Sequence, residues 1–144
     1  MEVGSVKKSE FYTLTGYKIK NNLIITPAME DYIEMIYRCT QNNSFVVVKE
    51  LSQLLNVRSS SVSKMIHRLN DYKLVNYSKY GSISLTDKGR KLGKFYLERH
   101  NVLTSFFKLI NKNKFKLEQV EKVEHYIDSN TIKNINKYIK KNKS

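Results

Sequence analysis

Late in the chain, Val120-Glu121-Lys122-Val123-Glu124-His125-Tyr126 places two carboxylates and an imidazole in one run of helix-forming composition. At about 100° per residue, Glu121, Glu124 and His125 fall within about 100° of one another, and Val120, Val123 and Ile127 form an apolar stripe beside them. Carboxylates crowded at the edge of a core repel each other and lose hydration. They persist there only if protonated, paired with cations, or bound to a metal ion. The chemistry of the stretch therefore depends on what the rest of the chain brings to it.

Two other elements carry residues of the same kinds. Thr26-Pro27-Ala28-Met29-Glu30 joins a threonine N-cap, a first-turn proline and early acidic residues, which predicts a helix to about Thr40. Met29, Ile33, Ile36 and Tyr37 make its core stripe, and Asp31 and Glu34, three apart, share one side. Alone, that pair reads as a solvated face favoured by the helix dipole. Thr86-Asp87-Lys88-Gly89 caps a long helix to about Ile110, basic at its start and carrying Leu92, Phe95, Tyr96, Leu103, Phe106, Phe107 and Ile110. That is more apolar surface than so small a lobe needs, and it predicts a subunit interface. His100 lies mid-helix. A lone helical histidine is more often a satisfied core or surface residue than a ligand. Two further helices are expected over Lys116–Asp128 and Thr131–Lys141, the second with Ile132, Ile135 and Ile139 at regular spacing.

Between these elements the pattern changes. Phe45-Val46-Val47-Val48 reads as a small strand, Val48–Leu55 as a short helix with Leu51, Leu54 and Leu55 apolar, and Asn56-Val57-Arg58 as a tight break. Ser59 to about Asp71 then carries Val62, Met65, Ile66 and Leu69 on one stripe, completing helix–turn–helix spacing. Ser60, Lys64, His67 and Arg68 oppose that stripe, Ser61 and Ser63 flank it, and Arg58 and Ser59 lead into it, so the outer face is hydroxylic and basic. Such a face suits the DNA major groove, and on charge alone it suits plain solvent equally well. The next segment tips the balance. Leu74–Lys79 alternates at period two, Tyr80-Gly81 turns, and Ser82–Leu85 alternates back, giving a wing with Lys79 and Tyr80 near its tip. A formal net charge of +13 over 144 residues agrees with a polyanionic partner.

Composition sets the outer limits. The length suits one compact domain or two small lobes sharing a core, with 40% hydrophobic residues adequate for burial. No apolar run approaches the roughly 20 residues of a membrane span, and the first residues do not begin a signal peptide, which predicts a cytoplasmic protein without a membrane partner. A single cysteine, Cys39, rules out an internal disulfide and any cysteine-cluster zinc site. Residues 1–22 read as an arm, either disordered or docking Phe11, Tyr12 and Tyr17 on the body and its lysines on phosphates. Neither Glu34 nor Glu121 is followed by histidine three residues on, as a helical di-metal oxidase requires. Protease, phosphate-loop and nucleophile-elbow motifs are missing too. The chain reads as a regulator with no catalytic residues and no small-molecule substrate.

Thr-Pro-Ala-Met-Glu-Asp-Tyr-Ile-Glu at 26–34, Ser-Ser-Val-Ser-Lys-Met at 60–65, Leu-Thr-Asp-Lys-Gly at 85–89, Arg-His at 99–100 and Val-Glu-Lys-Val-Glu-His at 120–125 resemble, in order and spacing, the manganese branch of the diphtheria-toxin-repressor family. The resemblance covers residue 24 onward. It implies a mainly α fold, with a winged helix–turn–helix DNA-binding domain over 23–86 and an all-helical metal-binding and dimerisation domain over 87–144. It further implies a homodimeric, metal-activated repressor of manganese-uptake genes on a palindromic operator. Carried over by motif, the metal ligands are Asp31, Glu34, His100, Glu121, Glu124 and His125. Iron-type relatives have methionine and cysteine at the positions of Asp31 and Glu121, and hard carboxylates suit Mn²⁺. Four carboxylates balance two divalent ions per subunit, with Glu121 or Glu124 bridging. Fe²⁺ is the competing ion, so an iron(II)-dependent repressor is one alternative and a metal-indifferent winged-helix regulator another. Ser59 departs from the proline that often opens the family's reading helix, the arm is additional, and no SH3-like domain follows.

Overall fold

The computed structural model describes residues 25–143, so the arm expected over 1–22 lies outside the described residues. Helix α1 runs Pro27–Cys39; the Thr26 hydroxyl accepts from the Met29 amide at 3.2 Å, and proline occupies the first turn. It buries Met29, Tyr32, Ile33, Glu34 and Ile36. Strand β1 is only Val46–Val47, because Phe45 is 53% exposed and Val48 already begins helix α2, Val48–Leu55. Leu54, expected in the core, is 50% exposed; α2 buries Leu51 fully and Leu55 in part. Asn56 ends α2 in the left-handed conformation, φ 55°, which asparagine tolerates, and the Ser52 hydroxyl donates to the Val57 carbonyl at 2.6 Å. Helix α3, Ser59–Asp71, follows and buries Val62, Ile66 and Leu69.

Strands β2, Val75–Tyr77, and β3, Ser82–Leu85, form the wing, and the antiparallel sheet has the order β1-β3-β2 with Val46 opposite Ile83 and Val75 opposite Leu85. Gly81 turns the tip at φ 82°, its amide donating to the Ser78 carbonyl at 3.0 Å. Helix α4, Asp87–Asn111, is capped by Thr86, whose hydroxyl accepts from the Gly89 amide at 3.0 Å and donates to the Lys73 carbonyl at 2.8 Å. A 3₁₀ turn at Lys112–Lys114, helix α5 at Leu117–Val123, a second 3₁₀ turn at Glu124–Tyr126 and helix α6 at Ser129–Lys141 complete the chain. The helix expected over 116–128 thus ends early. Asp128 caps α6, its carboxylate accepting from the Thr131 amide at 2.7 Å, and Ile127 must be extended to reach that geometry.

Two apolar cores result. The larger joins α1, α2, α3 and the sheet, and α4 contributes Tyr96 to it, with Leu92 and Phe95 at its edge. The smaller packs Leu103, Val120 and Ile132 from α4, α5 and α6. Helix α4 spans both, and the contact that seats α1 on it is close: a Cβ on Gly93 would stand 2.6 Å from the Tyr37 Cβ. Among the described residues, no helix is long and apolar enough to cross a membrane.

Gly93→Ala forces α1 and α4 apart and should lower unfolding stability by about 1–3 kcal/mol, the usual range for overpacking, measured by urea denaturation. Asp128→Ala removes the α6 cap and should cost about 1 kcal/mol near neutral pH. The bond to Thr131 depresses the Asp128 carboxyl below its ordinary 3.8. Its stabilisation is therefore present above that value and fades as pH falls below it, so the wild-type and Asp128→Ala stabilities should converge in acid.

Candidate metal centre

The fold brings five of the six carried-over ligands together, in two groups. Glu34 from α1, His100 from α4 and Glu124 from the second 3₁₀ turn form one; Asp31 from α1 with Glu124 and His125 forms the other. Within each group, one donor atom per residue lies within 4.8 Å of the others. Glu124, 3% exposed, belongs to both. All donors are carboxylate oxygen or imidazole nitrogen, a set that fits a hard divalent cation.

Each of these side chains already faces a counter-charge. His100 Nδ1 is 2.8 Å from Glu124 Oε2, and that bond raises the imidazole pKa against the opposing effect of burial. The Arg38 guanidinium donates to Glu34 Oε2 through Nη2 at 2.6 Å and Nε at 3.1 Å. Burial nevertheless dominates at Glu34 and raises its carboxyl, with Arg38 pulling the other way. His125 lies between two carboxylates: Nε2 is 3.1 Å from Asp31 Oδ1, and Nδ1 donates to Glu30 Oε1 at 2.7 Å. Those two bonds push its pKa up to about 9.

Glu121 is exposed and belongs to neither group. A uniform 100° per residue from Glu121 to His125 would group all three donors, whereas the chain tightens from α-helix to 3₁₀ at Glu124. Glu124 turns inward there and Glu121 stays on the outer side. Three residues were missed. Glu30 was read only as a helix-start acid, although its i, i+4 relation to Glu34 would have placed both on one face. Arg99, adjacent to His100, is 2% exposed and donates to Glu30 at 2.9 Å. Arg38, four residues after Glu34, is the third.

The basic face lies elsewhere. Arg58, Ser59, Ser60, Ser61, Lys64, His67 and Arg68 are exposed along the start and outer side of α3, and Ser63 is half-buried. His67 packs edge-on against Tyr77 of the wing at 5.3 Å between ring centroids, which ties the helix to the hairpin. Lys79 is exposed at the wing tip, and Tyr80 is 89% exposed beside it. The placement agrees with a groove-reading helix flanked by a wing.

Comparison with known proteins follows the same division. Residues 25–83 match the family model for the iron dependent repressor N-terminal DNA binding domain, and residues 86–144 match the iron dependent repressor metal binding and dimerisation domain. The HTH-type transcriptional regulator MntR of Bacillus subtilis (strain 168) is 38% identical over 111 residues, 76% of this chain and 78% of that protein. MntR of Listeria welshimeri is 39% identical over the same length, again 76% and 78%. Among solved structures, the manganese regulator SloR superposes with a TM-score of 0.67 at 24% identity, covering 81% of this chain and 55% of that one. The T. acidophilum IdeR structure gives 0.62 at 21%, covering 77% and 53%. At those identities the structures share the fold, and this chain spans about half the length of each. With both family models matched in order and well over a third of the aligned residues identical to these regulators, the chain belongs to the iron-dependent, diphtheria-toxin-type repressor family.

Proposed function

We propose that this protein is a manganese-responsive, DNA-binding transcriptional repressor of metal-uptake genes, working in the cytoplasm as a homodimer on a palindromic operator. One observation carries the reading: the buried carboxylate of Glu124 is common to two donor groups, each completed by a residue of α1 from the winged-helix lobe. The relatives named MntR, and their description as transcriptional regulators, support a regulatory rather than catalytic role.

Asp31, Glu34, His100, Glu124 and His125 would hold Mn²⁺. Glu121, exposed and in neither donor group in this structure, is the fourth carboxylate that would balance the charge of two dications, and it would have to turn inward from the helix before Glu124 to do so. Fe²⁺ is the competitor, since the affinity order of divalent ions places it above Mn²⁺ and donor hardness alone separates them weakly. When bound, the ions supply the positive charge that lets these carboxylates sit together. The remaining steps belong to the protein. Glu34 fixes α1 against α4 and Asp31 fixes it against the second 3₁₀ turn, α1 carries the winged helix with it, and the two α3 helices of a dimer are held at one spacing. Leu109, Ile110 and Leu117, left exposed on the helical lobe at 41%, 56% and 47%, offer apolar surface for the second subunit. On DNA, Ser60, Lys64, His67 and Arg68 face the major groove, with Arg58 and Ser59 at the helix start and Lys79 and Tyr80 along the backbone. Ordering the heads before DNA arrives is a coupling of about 1–3 kcal/mol, or roughly 5–150-fold in operator affinity.

Operator binding by the purified protein should strengthen with Mn²⁺ by a factor in that range and revert with chelator; specific binding indifferent to metal would refute the reading, and a stronger response to anaerobic Fe²⁺ would reassign the ion. His100→Ala should abolish the Mn²⁺ response while leaving weak non-specific DNA binding intact. Glu121→Ala should reduce the Mn²⁺ count from two to one per chain, read by equilibrium dialysis. Lys79→Ala should weaken binding to all sequences alike and lower the slope of log affinity against log salt by about 1.

A further inference from the structure

Beside the donor groups lies a second set of charges that the proposed function does not use. Arg99 of α4 is 2% exposed, among the most buried polar residues described. Its guanidinium lies over the Tyr96 ring at 4.9 Å and the Phe95 ring at 5.6 Å, and Nη2 donates to Glu30 Oε1 at 2.9 Å. Its Nε is buried with no hydrogen-bond partner. A guanidinium is held so deep only where a fixed carboxylate faces it. That same oxygen, Glu30 Oε1, accepts from His125 Nδ1 at 2.7 Å. Three elements thus meet at one atom: α1, α4 and the second 3₁₀ turn.

We propose that Glu30, locked by Arg99, is the positioning residue of this centre: it captures the Nδ1 proton of His125 and thereby turns Nε2 toward Asp31 and the donor group. The inference rests on the metal-binding reading of that group. Neutral imidazole has one protonated and one free nitrogen, and only the free one can ligate a cation. Nothing on the ring itself decides which is free. In the structure both nitrogens face carboxylates; when a cation takes the place of the Nε2 proton, the Nδ1–H bond to Glu30 keeps the other proton on the ring and holds Nε2, 3.1 Å from Asp31 Oδ1, toward the donor group. Arg99 adds a second constraint. By engaging Glu30 Oε1 at 2.9 Å it holds the carboxylate back from the donor group. Glu30 accordingly takes no part in either group, although Asp31, its neighbour in sequence, does.

The test uses the full chain with Mn²⁺ alone, free ion read by electron paramagnetic resonance, and imidazole ¹⁵N spectra of the Zn²⁺-loaded protein. Glu30→Ala should weaken binding at the His125 group by about 10–100-fold, the usual effect of removing an outer-shell carboxylate, while the ion held through His100, coupled to it only through Glu124, loses less. Glu30→Gln, which retains an acceptor oxygen, should recover part of the loss. In the Zn²⁺-loaded wild type His125 should show a protonated Nδ1 and a bound Nε2, and in Glu30→Ala that fixed pattern should be lost. Should Glu30→Ala fail to fold because Arg99 is left unpaired, the double variant Glu30→Ala/Arg99→Leu removes both charges and decides the matter with the same expected loss. Wild-type affinity and wild-type nitrogen pattern in the folded variants would overturn the proposal. So would lost affinity with the Nδ1 pattern intact, which would make Glu30 a direct ligand. Failure of the wild type to bind Mn²⁺ at all would instead overturn the metal reading beneath it.

Discussion

The structure depends on how closely α1 lies against α4. Tyr37 fills the space that a side chain at position 93 would need, so its side chain packs directly on α4 at Gly93. Two turns further along α4, Arg99 and His100 come opposite Glu30 and Glu34 of α1. A shift of an ångström at this crossing would carry the carboxylates past their partners. Packing interiors resist small displacement because every void forfeits dispersion contacts, which makes the crossing a stiff reference for the site built along it.

Charge then acts within a frame that packing has set. Two arginines near the site serve differently because they differ in exposure. Arg38, its side chain 40% exposed, meets Glu34 from the solvent edge and can leave it at little cost. The side chain of Arg99 is 3% exposed, roofed by Tyr96 and Phe95, and cannot release Glu30 without stranding a charge in the core. An exposed counter-ion on one carboxylate and a buried one on another leave neighbouring acids of α1 differently held: Glu34 by a partner at the solvent edge, Glu30 by one enclosed in the core.

Much of this was legible in the residues. The N-cap at Thr26, the helix–turn–helix spacing around Asn56, the wing with Tyr80-Gly81 at its tip and the cap at Thr86 are local signals, and local chemistry settles them. Motif spacing identified the family and five residues that converge. What escaped was set by tertiary contact. The end of α5 depends on competition between helix continuation and the cap at Asp128, which equal spacing along the sequence does not reveal. Periodicity placed Leu54 on the apolar stripe of α2, yet so short a helix touches the core at only one or two positions, and Leu51 takes that place. Arg99 belongs by sequence to the basic run of α4, and nothing in such a run marks the one member that faces inward.

Glu124 has a consequence for signalling. Because one buried carboxylate is common to both donor groups, an ion in one group would, on the proposed two-ion loading, change the charge and orientation available to the other. Under that loading the two would not titrate as separate compartments, and their combined binding curve would depart from the sum of two independent hyperbolas. A sensor built this way reads ion concentration through a curve whose steepness is written into a single side chain, so the sharpness of the genetic response and the position of its midpoint are adjustable by different residues.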